Sequence, residues 1–209
     1  MLSKTLKTAA GKMLEPLGKG LGKIGVKPNH ITVMGLILTF YAAWLLYNKN
    51  IYEAFAFGLM ASLFDGADGL VARATKTTSI RGGYLDATLD RYADCMAFGA
   101  LILCNWVEPL PILPLEFISG QVWAMAAMIG AFQTSYCRAA AERLGVSQEG
   151  VGLIERPERW FVLGMGVLVG ELMGDIETII TIVVAILAVL GNLTALQRMY
   201  HFWNEAKDE

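Results

Sequence analysis

Histidine, cysteine and charge are all scarce in this chain, and each scarcity excludes something. There are two histidines, His30 and His201, each isolated and read as a surface or interfacial residue. The three cysteines, Cys95, Cys104 and Cys137, are scattered through apolar stretches. They fit no metal spacing and no disulfide framework, so they are expected to be buried free thiols. Charged residues are only 17% of the 209, hydrophobic residues are 55%, and mean hydropathy is +0.48. That balance excludes an ordinary soluble domain and fits a polytopic membrane protein. Net charge is −2, so the overall charge names no partner, and no nucleic acid is expected. No apolar core followed by a small-residue cleavage site occurs in residues 1–30, so a cleaved signal peptide is not expected.

What is present is a basic N-terminus followed by six apolar stretches. Residues 1–30 hold six lysines and one acid, Glu15. Leu2, Leu6, Ala9, Met13, Leu14 and Leu17 recur near helical spacing among those lysines. This predicts a juxtamembrane amphipathic helix lying in the interface and drawn to anionic headgroups. Spans are predicted over about 31–47, 52–74, 82–106, 118–144, 157–171 and 177–200, each near the ~20 residues a bilayer needs. The turns are 48–50, 75–81 and 174–175, the loops are the proline-rich 107–117 and the 145–155 stretch, and the tail from His201 is polar. The expected fold is all-α, a single membrane domain over 1–209 with a six-helix core at 31–200. Lys and Arg gather in the N-terminal segment, the 75–81 turn and the 143–159 loop. By the positive-inside rule both termini face the cytoplasm, in a multi-pass protein of the cell membrane. Trp106, Trp123 and Trp203 read as interfacial anchors, and Gly99 and Gly130 as close helix-packing positions.

Four aspartates break the apolar pattern. Asp65 and Asp68 are spaced i, i+3, and Asp86 and Asp90 are spaced i, i+4. Both spacings put the pair on one helix face. The 75–81 turn makes the two helices antiparallel neighbours, so all four carboxylates can converge. Two such charges 4 Å apart repel by roughly 4 kcal/mol at an effective dielectric of 20. Hard divalent cations, Mg²⁺ or Mn²⁺, are the natural compensation, and the lack of His or Cys nearby argues against zinc. Two such ions suit phosphoryl chemistry. Gly66, Gly69, Gly82 and Gly83 leave room for a ligand, and Arg73 can fork onto a phosphate. Asp94 continues the face as a direct ligand, a supporting group or the partner of a basic residue. Intramembrane carboxylates also serve proton and cation pathways, so a coupled transporter is the rival from another class.

The stretch Asp65-x-x-Asp68-Gly69-x-x-Ala72-Arg73, then eight residues, Gly82-x-x-x-Asp86-x-x-x-Asp90, resembles the signature of the CDP-alcohol phosphatidyltransferase family at every defined position. The resemblance covers essentially the whole chain and favours the enzyme over the transporter. It implies transfer of a phosphatidyl-type group from CDP-diacylglycerol or CDP-archaeol to an alcohol, with release of CMP. It implies two Mg²⁺ or Mn²⁺ ions held by Asp65, Asp68 and Asp86, with Asp90 as the base and a contact to the second ion. It implies a CDP-lipid site formed by Asp65, Gly69, Ala72, Arg73 and Gly82, joined by Asn29 and Thr32 from the Pro-Asn-x-x-Thr run. It also implies a homodimer among membrane lipids.

The acceptor is expected to be read by arginines. Arg156 and Arg159 are spaced i, i+3, and Arg138 lies near the end of the fourth span. Together they can form a cationic pocket for a phosphorylated acceptor, or merely follow the positive-inside rule as Arg143 does. Ser135-Tyr136-x-Arg138-Ala139-x-Ala141-Glu142 and Glu155-Arg156-Pro157-Glu158-Arg159 resemble the inositol-phosphate-using branch of the family. That implies inositol phosphate as acceptor. Ala140 stands where that branch carries arginine, which makes glycerol 3-phosphate the runner-up and serine third.

Overall fold

Short polar turns cut the apolar sequence into antiparallel helices. In the computed structural model, residues 27–110 and 114–206 are described, apart from the side chains of 68 and 70. Six long helices occur among them. They are α1 (Pro28–Tyr47), α2 (Ile51–Ala74), α3 (Ile80–Leu103), α4 (Gly120–Arg143), α5 (Arg156–Met173) and α6 (Ile176–Glu205). A single 3-10 turn, Leu115–Phe117, precedes α4. No strand occurs among the described residues, as expected for an all-α chain.

The first three helices each end near a residue in the left-handed region: Lys49, Lys76 and Asn105, with φ of 61°, 55° and 54°. Thr75 also donates its hydroxyl to the Val71 carbonyl at 2.7 Å, which accepts the Thr75 backbone N–H as well at 2.9 Å. At α5, Glu155 and Glu158 form a capping box with Pro157 in the first turn. Gly174, at φ 69°, closes α5, and the Asp175 side chain caps α6 by accepting from the Thr178 N–H at 3.1 Å.

Three described helices are long and apolar enough to cross a membrane by length and composition: Pro28–Tyr47, Ile51–Ala74 and Ile176–Glu205. Helices α3 and α5 carry several charges each, which lowers their mean hydropathy. The helix limits depart from the predicted spans mainly at the C-terminus, where α6 carries on through His201 to Glu205 instead of ending in a tail. The amphipathic N-terminal helix expected over 1–24 lies outside the described residues.

The chain forms two compact units. The first holds α1 as far as Leu45, residues 52–74 of α2 and α3 as far as Ala93. Within it α1 meets α2 closely at Gly35, where an added Cβ would stand 3.4 Å from the Phe64 Cβ. Tyr41 packs edge-on against Phe57, with ring centroids 4.7 Å apart.

The second unit comprises 46–51 and the chain from Asp94 onward. Its core joins Phe98 and Leu101 to Ala124, Ala127 and Ala131 of α4, and to Ile180, Val184 and Leu187 of α6. The buried face of α4 is Gly120, Ala124, Ala127, Gly130, Ala131, Thr134 and Ala141, all small residues. Small residues let helix backbones approach closely where lipid removes the hydrophobic drive for association. At Gly130 an added Cβ would come within 2.9 Å of the Asn192 backbone nitrogen. Gly99 is not such a position, because nothing lies within 4 Å of its added Cβ. Trp106 is buried in this core and is not an interfacial anchor, whereas Trp203 is 82% exposed. The thiols are free, with Cys104 buried and Cys95 and Cys137 half-buried.

Candidate active site

In the first unit, α2 and α3 run back on each other through the 75–79 turn. This brings Asp65 of α2 to Asp86 and Asp90 of α3. One carboxylate oxygen from each lies within 4.8 Å of the other two. All three residues are half-buried. The i, i+4 spacing of Asp86 and Asp90 aims both at the same point. Asp68 lies on α2 three residues after Asp65, but its side chain is outside the described residues. The arginine next to the cluster, Arg91, sets Nη2 3.5 Å from Asp90 Oδ2. Three anionic oxygens this close, with no nitrogen or sulfur among them, fit a hard divalent cation such as Mg²⁺ or Mn²⁺.

The other predicted residues of this unit fall into two places. Asn29 and Gly82 meet at the mouths of α1 and α3. The Gly82 N–H donates to Ser79 Oγ at 3.0 Å, and an added Cβ on Gly82 would stand 3.3 Å from Asn29 Oδ1. Thr32 is one turn on, and its hydroxyl donates to the Pro28 carbonyl at 3.2 Å. Arg73 is exposed at the end of α2 and reaches back over Gly69, where an added Cβ would stand 3.3 Å from Nη1. Ala72 is half-buried beside it. Gly66 and Gly83 face open space.

In the second unit, Arg156 and Arg159 converge on one buried carboxylate. Arg159 Nη2 donates to Asp94 Oδ2 at 3.0 Å, and Arg156 Nε donates to Asp94 Oδ1 at 3.4 Å. Asp94 is therefore the partner of two basic residues. Arg138 pairs at 2.9 Å with Glu142 of its own helix, and both side chains are 45% exposed. Exposed pairs of that kind contribute little stability.

One buried cation escaped the sequence reading. Arg198 of α6 is 2% exposed. Its Nε donates to the Val151 carbonyl at 3.0 Å, its Nη1 to the Thr134 carbonyl at 2.6 Å, and its Nη2 lies 3.8 Å from Glu155 Oε1. It ties the 145–155 loop to α4 and α6. The available signal was a lone arginine within a long apolar helix, a position that marks function by default. Thr194, one turn earlier, accepts the N–H groups of both Leu153 and Ile154 at 3.1 Å.

The family model of the CDP-alcohol phosphatidyltransferases matches residues 26–205. The chain belongs to this family. It is similar to the archaetidylinositol phosphate synthase of Pyrococcus horikoshii, with 30% identity over 203 residues covering 96% of this chain and 95% of the relative. Its fold matches the Mycobacterium tuberculosis phosphatidylinositol phosphate synthase with CDP-DAG bound, at TM-score 0.80 and 25% identity over 95% of this chain and 98% of that one. The same mycobacterial enzyme in complex with manganese and citrate matches at TM-score 0.77 and 26% identity, over 93% and 91% of the two chains. As a CDP-alcohol phosphatidyltransferase this chain is a metal-dependent transferase, and the transporter reading is set aside.

Proposed function

We propose that this CDP-alcohol phosphatidyltransferase transfers the phosphatidyl or archaetidyl group of a CDP-lipid to a hydroxyl of inositol phosphate and releases CMP. The observation that carries the chemistry is the convergence of Asp65, Asp86 and Asp90 at the family's motif positions. The inositol phosphate branch is supported by relatives of that name which align over nearly the whole chain.

Asp65, Asp68 and Asp86 would hold the metal. Two divalent cations bound there would neutralise the diphosphate and stabilise charge developing on its oxygens. Asn29, Thr32, Gly69, Ala72, Arg73 and Gly82 bind the cytidine diphosphate portion. Arg73 forks onto a phosphate, and the glycines leave the backbone open to the ligand. Arg138, Arg156 and Arg159 hold the phosphate of the acceptor. Asp90 takes the proton of the acceptor hydroxyl as its oxygen bonds to the β-phosphorus. The bond from that phosphorus to the bridging oxygen breaks, and CMP leaves with the electron pair.

The enzyme works as one membrane domain of six spans, with both termini and the site on the cytoplasmic side of the cell membrane. The basic residues of the 75–81 and 143–159 segments support that orientation. It works as a homodimer. The test is CMP release from labelled CDP-lipid with Mg²⁺ and a panel of inositol phosphate, glycerol 3-phosphate and serine. Inositol phosphate should give the highest kcat/KM. A preference for glycerol 3-phosphate would move the enzyme to another branch, and CMP release with none of the three would end the proposal.

A further inference from the structure

Asp94 lies outside the family motif, yet it is the one carboxylate among the described residues that is fully buried, at 1% exposure. Both of its oxygens are committed to α5, and to two arginines of different character. Arg159 is 3% exposed and meets Asp94 Oδ2 through a terminal nitrogen at 3.0 Å. That contact sets a cation against the carboxylate inside the helix packing, where neither would be stable alone. Arg156 is 17% exposed and is gripped at Nε, 3.4 Å from Oδ1. A grip at Nε fixes the plane of the guanidinium at the root of its fork. The backbone under Arg156 is held separately by the capping box of Glu155 and Glu158. Loss of Asp94 would therefore remove that grip without unwinding the start of the helix.

We infer that Asp94 is a positioning residue, which orients the Arg156 guanidinium toward the phosphate of the acceptor. This rests on the proposal that the acceptor is phosphorylated. Arg159 is the counter-charge that offsets the burial of the Asp94 carboxylate. Arg156 is a phosphate contact, and its fork geometry depends on an Nε–H that lysine lacks.

The experiment measures steady-state kinetics of the full chain in detergent, with CDP-lipid and acceptor varied in turn, beside thermal unfolding of each variant. Asp94→Asn keeps the shape and removes the charge. It should raise the acceptor KM about tenfold, the cost of one charge-assisted hydrogen bond. The CDP-lipid KM should move by no more than about twofold. Arg156→Lys should copy Asp94→Asn, and Arg159→Lys, which keeps a cation on Asp94, should raise the acceptor KM by less. An unchanged acceptor KM in a folded Asp94→Asn protein overturns the inference. So does a larger effect from Arg159→Lys than from Arg156→Lys, a comparison that decides the matter even if Asp94→Asn does not fold. Wild-type protein that uses only serine sinks the phosphorylated-acceptor reading and this inference together. Wild-type turnover with inositol phosphate, combined with either overturning result, sinks the inference alone.

Discussion

Replacing Asp86 by asparagine should stabilise the metal-free protein while abolishing its activity. Asp65, Asp86 and Asp90 bring carboxylate oxygens within 4.8 Å of one another. At that separation each pair repels by about 3.5 kcal/mol at an effective dielectric of 20. Neutralising Asp86 removes two of the three repulsions and keeps the size and hydrogen-bonding reach of the side chain. Solvent around these half-buried groups, and Arg91 3.5 Å from Asp90, weaken the repulsion. The net gain without metal is then on the order of 1–2 kcal/mol. For a chain of this length that is a rise in Tm of several degrees, at about 2–4 °C per kcal/mol. The assay is thermal unfolding of detergent-solubilised protein in EDTA and in saturating Mg²⁺, with CMP release measured in parallel. Wild type should gain stability from Mg²⁺. Asp86→Asn should melt higher than wild type in EDTA, gain much less from Mg²⁺, and lose at least about 100-fold in turnover. An aspartate that merely held helices together would behave oppositely, and its loss would lower Tm in both buffers. A lower melting point in EDTA, or a full Mg²⁺ shift, would refute the reasoning.

Two further outcomes follow from single contacts. Thr194→Val removes the hydroxyl that accepts from the Leu153 and Ile154 N–H groups and leaves both without that acceptor. Each costs about 1–3 kcal/mol, so exchange of these two amides should quicken well beyond that of the α4 core; unchanged exchange would mean the loop is held elsewhere. Gly69→Ala should raise the CDP-lipid KM about tenfold and spare the acceptor KM, because its methyl would stand 3.3 Å from Arg73 Nη1 and push the guanidinium aside. Equal effects on both substrates would remove Arg73 from the CDP-lipid site.

The helices were legible because their signals are local. Apolar length gave six helices, and the polar runs at 48–50 and 75–81 became turns with Lys49 and Lys76 at positive φ. The aspartate cluster was legible for the same reason. Asp86 and Asp90 share a face by spacing, and a short turn can only fold α3 back along α2, so Asp65 follows. Composition misled at the ends of elements. Trp106 adjoins a loop with three prolines and looked interfacial, but the fold buries it in the same core as Phe98 and Leu101. The residues after Tyr200 looked like a polar tail, yet α6 carries them on to Glu205 because nothing in His-Phe-Trp-Asn-Glu breaks a helix.

The arginines were harder, because what each one does is decided by a partner far away in sequence. Asp94 lies 62 and 65 residues before the two arginines it holds, and Thr134 lies 64 residues before Arg198. Periodicity and spacing carry no information at that range. A cation beside a membrane span reads the same whether it meets solvent, a headgroup, a substrate or a buried carboxylate. Burial separates these cases. Arg138 and Glu142 are nearly half exposed, and their pair adds little to stability. Arg159 and Arg198 are 3% and 2% exposed, where a charge persists only with its partners in place. Arg156, at 17%, lies between them. It is anchored at Nε by Asp94 and keeps enough access to meet a substrate, which a residue needs if its geometry is to be both fixed and useful.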